Sequence, residues 1–330
     1  MSHAPKLVTI FGGSGFVGRY IARRMAKEGW RVRVAVRRPN EAIFVKPYGT
    51  VGQVEPILAN IRDDASVQAA CAGADAVVNC VGTFDKGGRN NFEAVQVEGA
   101  GRIAQMAKAA GVKQLVHISA IGADKEALST YARTKAAGEA MVKQAFPNAV
   151  ILRPSVIFGT EDMFFNRIAK MATLTPVIPI VGGSSRFQPV YVDDVAKAAV
   201  MGVLGQAAAG VYELGGPDTE SFTELTDRIL ACIRRKRLKV NVPFFMASIN
   251  AKILDMVFGL TMGLFKNNIL TADQVEQLRT DNVVAPRAKG FAKLGIEPVA
   301  MDAVLDSYLY CYRPYGQYAE LTESGKNLST

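Results

Sequence analysis

The sequence predicts an α/β chain, a doubly wound parallel sheet followed by a smaller, more helical C-terminal part. Three observations carry that expectation. The first 38 residues read as strand, glycine-rich turn, helix and strand. Short β-branched apolar runs then alternate with helix-like stretches, as a parallel sheet with crossover helices requires. Beyond about residue 160 the alternation loosens, and an apolar stretch of 23 residues, 243–265, stands apart.

Residues 6–11 (Lys-Leu-Val-Thr-Ile-Phe) have the composition of a buried parallel strand. Gly12, Gly13, Ser14, Gly15, Phe16, Val17 and Gly18 follow at once, and residues 19–27 carry Tyr20, Ile21, Met25 and Ala26 at helical spacing before Gly29 stops the helix. Residues 31–36 form the second strand. In this βαβ setting Gly12 permits the tight turn, Gly15 lets a pyrophosphate approach the backbone, and Gly18 allows close helix–strand packing. The helix N-terminus then meets the phosphates with N–H groups and a partial positive charge. This is a Rossmann-type nucleotide site.

Further strands are expected at residues 54–61, 76–81, 114–119 and 150–153, with a long helix over 91–110. A helix over 162–173, a loop over 176–183, a short strand feeding a helix over 188–195 and a late strand over 211–214 complete the pattern. The expected division is a nucleotide-binding domain over 1–160, with return segments from about 185–215, and a smaller partner- or membrane-facing part over 161–330.

Apolar residues make up 49% of the chain and charged residues 21%, which excludes disordered, collagen-like and disulfide-scaffold classes. Four cysteines without paired spacing and two histidines predict neither a metal site nor a disulfide framework, and fit a reducing compartment. Nothing in the sequence points to nucleic acid as a partner. The net charge of +9 is unevenly placed: nine basic residues stand against one acid in the first 38 positions, and Arg234, Arg235, Lys236, Arg237 and Lys239 form a second cluster. Such placement suits an acidic ligand, partner or lipid surface. Lys252 and Asp255 interrupt segment 243–265, and each costs about 2.5–3.5 kcal/mol at the centre of a spanning helix. The segment is therefore expected to be a core helix or a face pressed on a membrane or partner. The start of the chain shows neither a secretory signal nor an arginine-rich leader, from which a bacterial or mature chain exposed to the cytosolic side is expected.

Cofactor choice is read at the end of the second strand. A carboxylate there would hold a ribose hydroxyl, but Arg37 and Arg38 stand instead and favour the 2′-phosphate of NADP(H). Tyr131 and Lys135 form Tyr-x-x-x-Lys, one helical turn apart on one face.

The Gly-x-x-Gly-x-x-Gly spacing resembles the short-chain dehydrogenase/reductase superfamily, in its extended and atypical branches. That resemblance implies that Tyr131 exchanges a proton with a substrate oxygen, that Lys135 binds the nicotinamide ribose, and that Ser119, or less readily Ser129, polarises a carbonyl. It also implies cofactor contacts from Gly12, Gly13, Ser14, Gly15, Phe16, Val17, Arg37, Arg38, Asp63 at the adenine, Val81, Gly82, Ser119, Tyr131, Lys135, Pro154, Ser155 and Val156.

Four further stretches narrow it. His117-Ile-Ser-Ala-Ile-Gly-Ala123, Tyr131-Ala-Arg-Thr-Lys-Ala-Ala-Gly-Glu139, Leu152-Arg-Pro-Ser-Val-Ile-Phe-Gly-Thr-Glu-Asp-Met-Phe-Phe-Asn166 and Gln188-Pro-Val-Tyr-Val-Asp-Asp-Val195 come in order. Together they resemble the nucleotide-binding accessory subunits of respiratory complex I. What this implies is a tightly held NADP(H) with a structural role, no independent catalytic activity, and neighbours among the complex I subunits near the quinone-site junction. The expected location is peripheral, on the cytoplasmic face of a bacterial inner membrane, with anionic lipid as a further partner. Two other functions fit the same residues: an active NADP-dependent reductase or epimerase using Tyr131, Lys135 and Ser119, and a redox-sensing nucleotide binder that regulates a partner.

Overall fold

The computed structural model describes residues 5–84, 87–249 and 271–318, which form two compact units. The first comprises Met1–Ser155, Val192–Gly215 and Val284–Pro298, the second Val156–Tyr191, Gly216–Val283 and Val299–Thr330.

In the first unit, strands β1 (Leu7–Phe11), β2 (Arg31–Val36), β3 (Val54–Leu58), β4 (Ala76–Asn79), β5 (Gln114–Ile118) and β6 (Val150–Pro154) join a late strand, Gly210–Leu214, in one sheet. Its order is late strand, β6, β5, β4, β1, β2, β3, and every pairing is parallel. The order reverses between β1 and β4, which pair Val8 with Ala76 and Phe11 with Asn79. Ligands of such sheets bind at this reversal, beyond the carboxyl ends of the strands.

Helices cover both faces. Helix α1 (Phe16–Lys27) buries Tyr20, Ile21, Ala22, Met25 and Ala26. Helices α2 (Asp64–Cys71), α3 (Gly99–Ala109) and α4 (Thr130–Ala145) share a core with the sheet that includes Phe11, Val67, Ile103, Leu115, Val142 and Ile151. The helix Val192–Val203, which follows a two-residue strand Val190–Tyr191 as expected, is buried nearly all round, and its Asp193 forms a bidentate pair with Arg24 of α1.

Several expected boundaries move, each for a local reason. Strand β3 ends at Leu58 rather than 61 because Asn60 N–H turns to the Ser66 hydroxyl (2.9 Å). Strand β4 ends at Asn79 rather than 81 because Val81 N–H donates to the Asn79 side chain (3.0 Å). The helix expected over 91–110 is a widened turn, Glu93–Glu98, leading into α3.

The second unit packs Phe158, Phe165, Ile168, Ile178, Ile180, Phe187, Leu225, Ile229, Leu305 and Leu309 into its own core. Helix α5 runs over Phe165–Leu174, not from 162, because the Asp162 carboxylate accepts the Phe165 and Asn166 N–H groups (2.7 and 3.1 Å) ahead of it. The same carboxylate accepts from the Tyr308 hydroxyl (2.7 Å), and Asn166 Oδ1 accepts from Tyr312 (3.0 Å). The Phe158-to-Asn166 motif thus holds the segment around residues 305–312.

The expected loop over 176–183 is instead a strand, Val177–Val181, paired in parallel with Leu238–Val242. Ile178 and Ile180 alternate inward while Pro179 lies exposed on a two-stranded sheet, where its missing N–H costs little. The basic cluster expected to face outward is partly consumed here. Arg235 and Arg237 donate to the Tyr312 and Ala172 carbonyls (2.8 and 2.7 Å), and Lys239 pairs with Asp227 (2.5 Å). Most of segment 243–265 lies outside the described residues. No helix among the described residues is long and apolar enough to cross a membrane.

Candidate functional site

The glycine loop joins β1 to α1. Gly12 has φ +74°, the left-handed conformation that glycine adopts without strain, and its N–H donates to Ala35 O of β2 (2.9 Å). Gly18 is required by space rather than conformation: a Cβ there would stand 2.4 Å from Gly12 O and 2.7 Å from Gly13 Cα. Its partner is therefore the loop itself, not the helix–strand contact expected. Gly15 caps α1 with no side chain over the helix end, and the first turn holds no acidic residue. The first N–H groups of such a helix have no intrahelical acceptor.

Beside this loop, Arg37 and Arg38 directly follow β2 and are both exposed. Arg38 pairs with Glu41 (3.0 Å), whereas Arg37 meets no carboxylate among the described residues. A third guanidinium, not singled out by sequence, lies on the loop itself. Arg19 donates to Ser14 O (3.1 Å) and Gly15 O (3.4 Å) and lies over the Phe44 ring, 4.8 Å from its centroid.

The second cluster sits at the ends of β4 and β5. Tyr131, Lys135 and Glu139 follow at four-residue spacing on α4, whose N-terminus is capped by Ser129. The Ser129 oxygen accepts from Ala132 N–H (3.3 Å), a structural role that sets it apart from the others. Tyr131 stacks on Phe84 (5.1 Å) and meets the edge of Phe92 (6.0 Å). Lys135 Nζ lies 5.8 Å from the Tyr131 ring centroid, donates to Ile118 O (3.3 Å), and stands 3.7 Å from where a Cβ on Gly82 would be. Lys135, Tyr131 and Gly82 are thus brought together.

Burial lowers the Lys135 ammonium to about 8, against the opposing pull of Glu139 and Cys80. His117 is driven down to about 3, first by burial and then by the Lys135 charge, and its Nδ1 faces the Asn79 amide (3.2 Å). Burial pushes the Cys80 thiol up to about 12.

Ser119, expected to polarise a carbonyl, has a partner within the chain. Its hydroxyl donates to Oε1 of Glu139 (2.6 Å), a carboxylate only 2% exposed and gripped by both Nε and Nη2 of Arg153 (2.7 and 2.8 Å). A hydroxyl has one proton to donate, and here it goes to Glu139. Sequence reasoning passed over Glu139 and Arg153. The signal was present, since Glu139 follows Lys135 by four residues.

Asp63 caps α2, accepting from Ser66 N–H (3.0 Å), and remains exposed. Pro154 ends β6, and Ser155 N–H donates to Leu214 O (2.9 Å). Val156 belongs to the second unit, where its N–H donates to the Asn282 side chain (3.2 Å).

A parallel sheet with its glycine loop at the strand-order reversal and a Tyr-x-x-x-Lys helix four crossovers later defines a nucleotide-binding protein of the dehydrogenase type. The chain belongs to the NAD dependent epimerase/dehydratase family, whose model matches residues 8–215. It is 34% identical over 326 residues to NADH dehydrogenase [ubiquinone] 1 alpha subcomplex subunit 9, mitochondrial, of Arabidopsis thaliana, covering 97% of this chain and 81% of that protein. It is 32% identical over 311 residues to the NADH-ubiquinone oxidoreductase 40 kDa subunit, mitochondrial, of Neurospora crassa, covering 94% and 80%. At that identity and coverage it belongs to the same family as these two subunits. A ceramide reductase of Caulobacter vibrioides is 31% identical over 217 residues, 66% of this chain and 67% of that one. In fold, the crystal structure of gox2253 matches with a TM-score of 0.70 at 18% identity, over 94% of this chain and 99% of that one.

Proposed function

We propose that this chain is an accessory subunit of respiratory complex I that holds NADP(H) as a structural ligand at the junction of the peripheral and membrane arms. The observation that carries this reading is the likeness to the two complex I subunits along nearly the whole chain. The glycine loop fits a dinucleotide: position 18 has no room for a side chain, position 12 holds a left-handed φ that side chains rarely adopt, and the uncapped, acid-free start of α1 suits a pyrophosphate. Arg37 and Arg38 favour the 2′-phosphate form over NAD(H), and Lys135 beside Gly82 suits the nicotinamide ribose. A bound nicotinamide would supply hydride chemistry. Ser119 gives a carbonyl little help while its proton is held by Glu139, which leaves Tyr131 as the hydroxyl donor. In a bacterial cell the subunit would sit peripherally on the cytoplasmic face. Leu238, Val240, Phe245, Met246 and Ile249, exposed beside the basic cluster, suit contact with partner subunits or anionic lipid there.

The test has two parts: whether the chain migrates with a near-megadalton assembly in native membrane extracts, and which nucleotide denaturation releases from it. A free small oligomer, or recovery of NAD alone, overturns the corresponding half. An active reductase is the second reading, favoured by the ceramide reductase likeness and the intact Tyr131 and Lys135. Tyr131→Phe separates the two. On the structural reading, NADH:quinone turnover of membranes carrying the variant stays within about twofold of wild type, while Lys135→Ala lowers nucleotide content. Loss of turnover in Tyr131→Phe with normal assembly and nucleotide content would reject it.

Two glycine substitutions should divide fold from ligand. Gly18→Val forces the loop backbone apart and should yield little folded protein. Gly15→Asp meets only Gly12 O at 3.1 Å from its Cβ, on a backbone with φ −70°, so the fold should survive. Its carboxylate would stand where the pyrophosphate belongs and should empty the site. The nucleotide-linked part of stability then disappears, about 2.7 kcal/mol for free nucleotide at 100 times its dissociation constant. Thermal unfolding with and without added NADPH reads this directly.

A further inference from the structure

We infer that Arg19, held in place by Phe44, is a determinant of cofactor specificity, its guanidinium forming part of the subsite for the adenosine 2′-phosphate. The inference rests on the nucleotide-holding reading above.

Hydrogen bonding puts the glycine loop and the end of β2 side by side: Gly12 N–H donates to Ala35 O at 2.9 Å, two residues before Arg37. Arg19 reaches back from the first turn of α1 to the same loop. Its Nη2 and Nε point at the carbonyls of Ser14 and Gly15, 3.1 and 3.4 Å away. Phe44 lies on the short helical segment Pro39–Tyr48, which continues directly from Arg37 and Arg38, and its ring supports the Arg19 guanidinium from 4.8 Å. Arg19 on the loop and Arg37 and Arg38 after β2 are thus carried by two elements that meet at Phe44.

They are not equivalent. Arg38 is 76% exposed and shares its charge with Glu41, while Arg37 is an exposed side chain. Arg19 is half-buried and fixed by two carbonyls and an aromatic face, so less entropy is lost when its planar fork meets a phosphate. A doubly charged phosphate ester is the ligand chemistry that guanidiniums so placed select.

The adenosine fragments 2′,5′-ADP and 5′-AMP differ only in that phosphate, and titrating the full-length chain with both, followed by calorimetry, isolates the subsite. Arg19→Met should weaken 2′,5′-ADP about tenfold or more while 5′-AMP changes less than about twofold. Phe44→Ala removes the support but no charge and should weaken 2′,5′-ADP in the same direction by a smaller factor. Arg19→Lys should recover part of the loss. Equal weakening of both fragments in Arg19→Met would mean that Arg19 only shapes the loop, and an unchanged 2′,5′-ADP affinity would mean that it has no part; either overturns the inference. A wild-type chain that binds 5′-AMP as well as 2′,5′-ADP overturns it while sparing the nucleotide-holding reading. A chain that binds neither fragment sinks both.

Discussion

Arg153→Ala should lower the stability of this chain by about 3 kcal/mol, measured by urea unfolding at neutral pH. Arg153 grips both oxygens of Glu139, and it also reaches Glu213 (3.5 Å). Removing it leaves a carboxylate 2% exposed with one hydroxyl donor, Ser119, and with Lys143 at 3.7 Å. Losing one member of a buried pair costs about 3–5 kcal/mol. The lower end applies because the Arg153 side chain keeps 22% of its surface in water and Lys143 remains. Glu139→Met combined with Arg153→Met should recover most of the loss, since an apolar pair strands no charge. A single-variant loss below about 1 kcal/mol would show the pair to be far better solvated than its burial indicates.

That network also shows what could and could not be read in advance. The first βαβ unit was legible because each residue in it answers to a local rule. Apolar runs make buried strands, Gly12 needs a positive φ, and the helix carries an apolar stripe. The Tyr131–Lys135 pair was legible for the same reason, as a spacing on one helix. Ser119 was legible as a position at the end of the fifth strand, but its partner was not, because that partner is set by tertiary contact: Glu139 arrives from α4 and Arg153 from β6. Asp63 carried a helix-cap spacing to Ser66 that went unread behind its expected contact with adenine. In the second unit the pairing of Val177–Val181 with Leu238–Val242 joins segments some sixty residues apart in sequence. One contains a proline and the other carries lysine beside leucine and valine, so neither shows a clean strand pattern alone.

Acid should destabilise the chain well before its carboxylates titrate, and His117 should be the reason. The imidazole is 2% exposed, and burial together with the nearby Lys135 charge holds it down to about 3, against about 6.5 in an unfolded chain. With the folded value below the unfolded one, the unfolded state takes up the proton first as pH falls. The contribution is therefore complete above pH 6.5 and is lost progressively toward pH 3. The limiting slope is about 1.4 kcal/mol per pH unit, so roughly 2–3 kcal/mol should go between pH 6.5 and 4.5. Lys135 acts in the same direction in a higher window: lowered to about 8 from an ordinary value near 10.5, it adds stability as pH rises between those two values. His117→Gln keeps a polar group for Asn79 but removes the titration. Its urea midpoint should be lower than wild type at pH 7 and nearly flat down to pH 4.5, so that the two curves converge in acid. Parallel curves across that range would mean that His117 is protonated in the folded chain and that the Asn79 contact is made by an imidazolium.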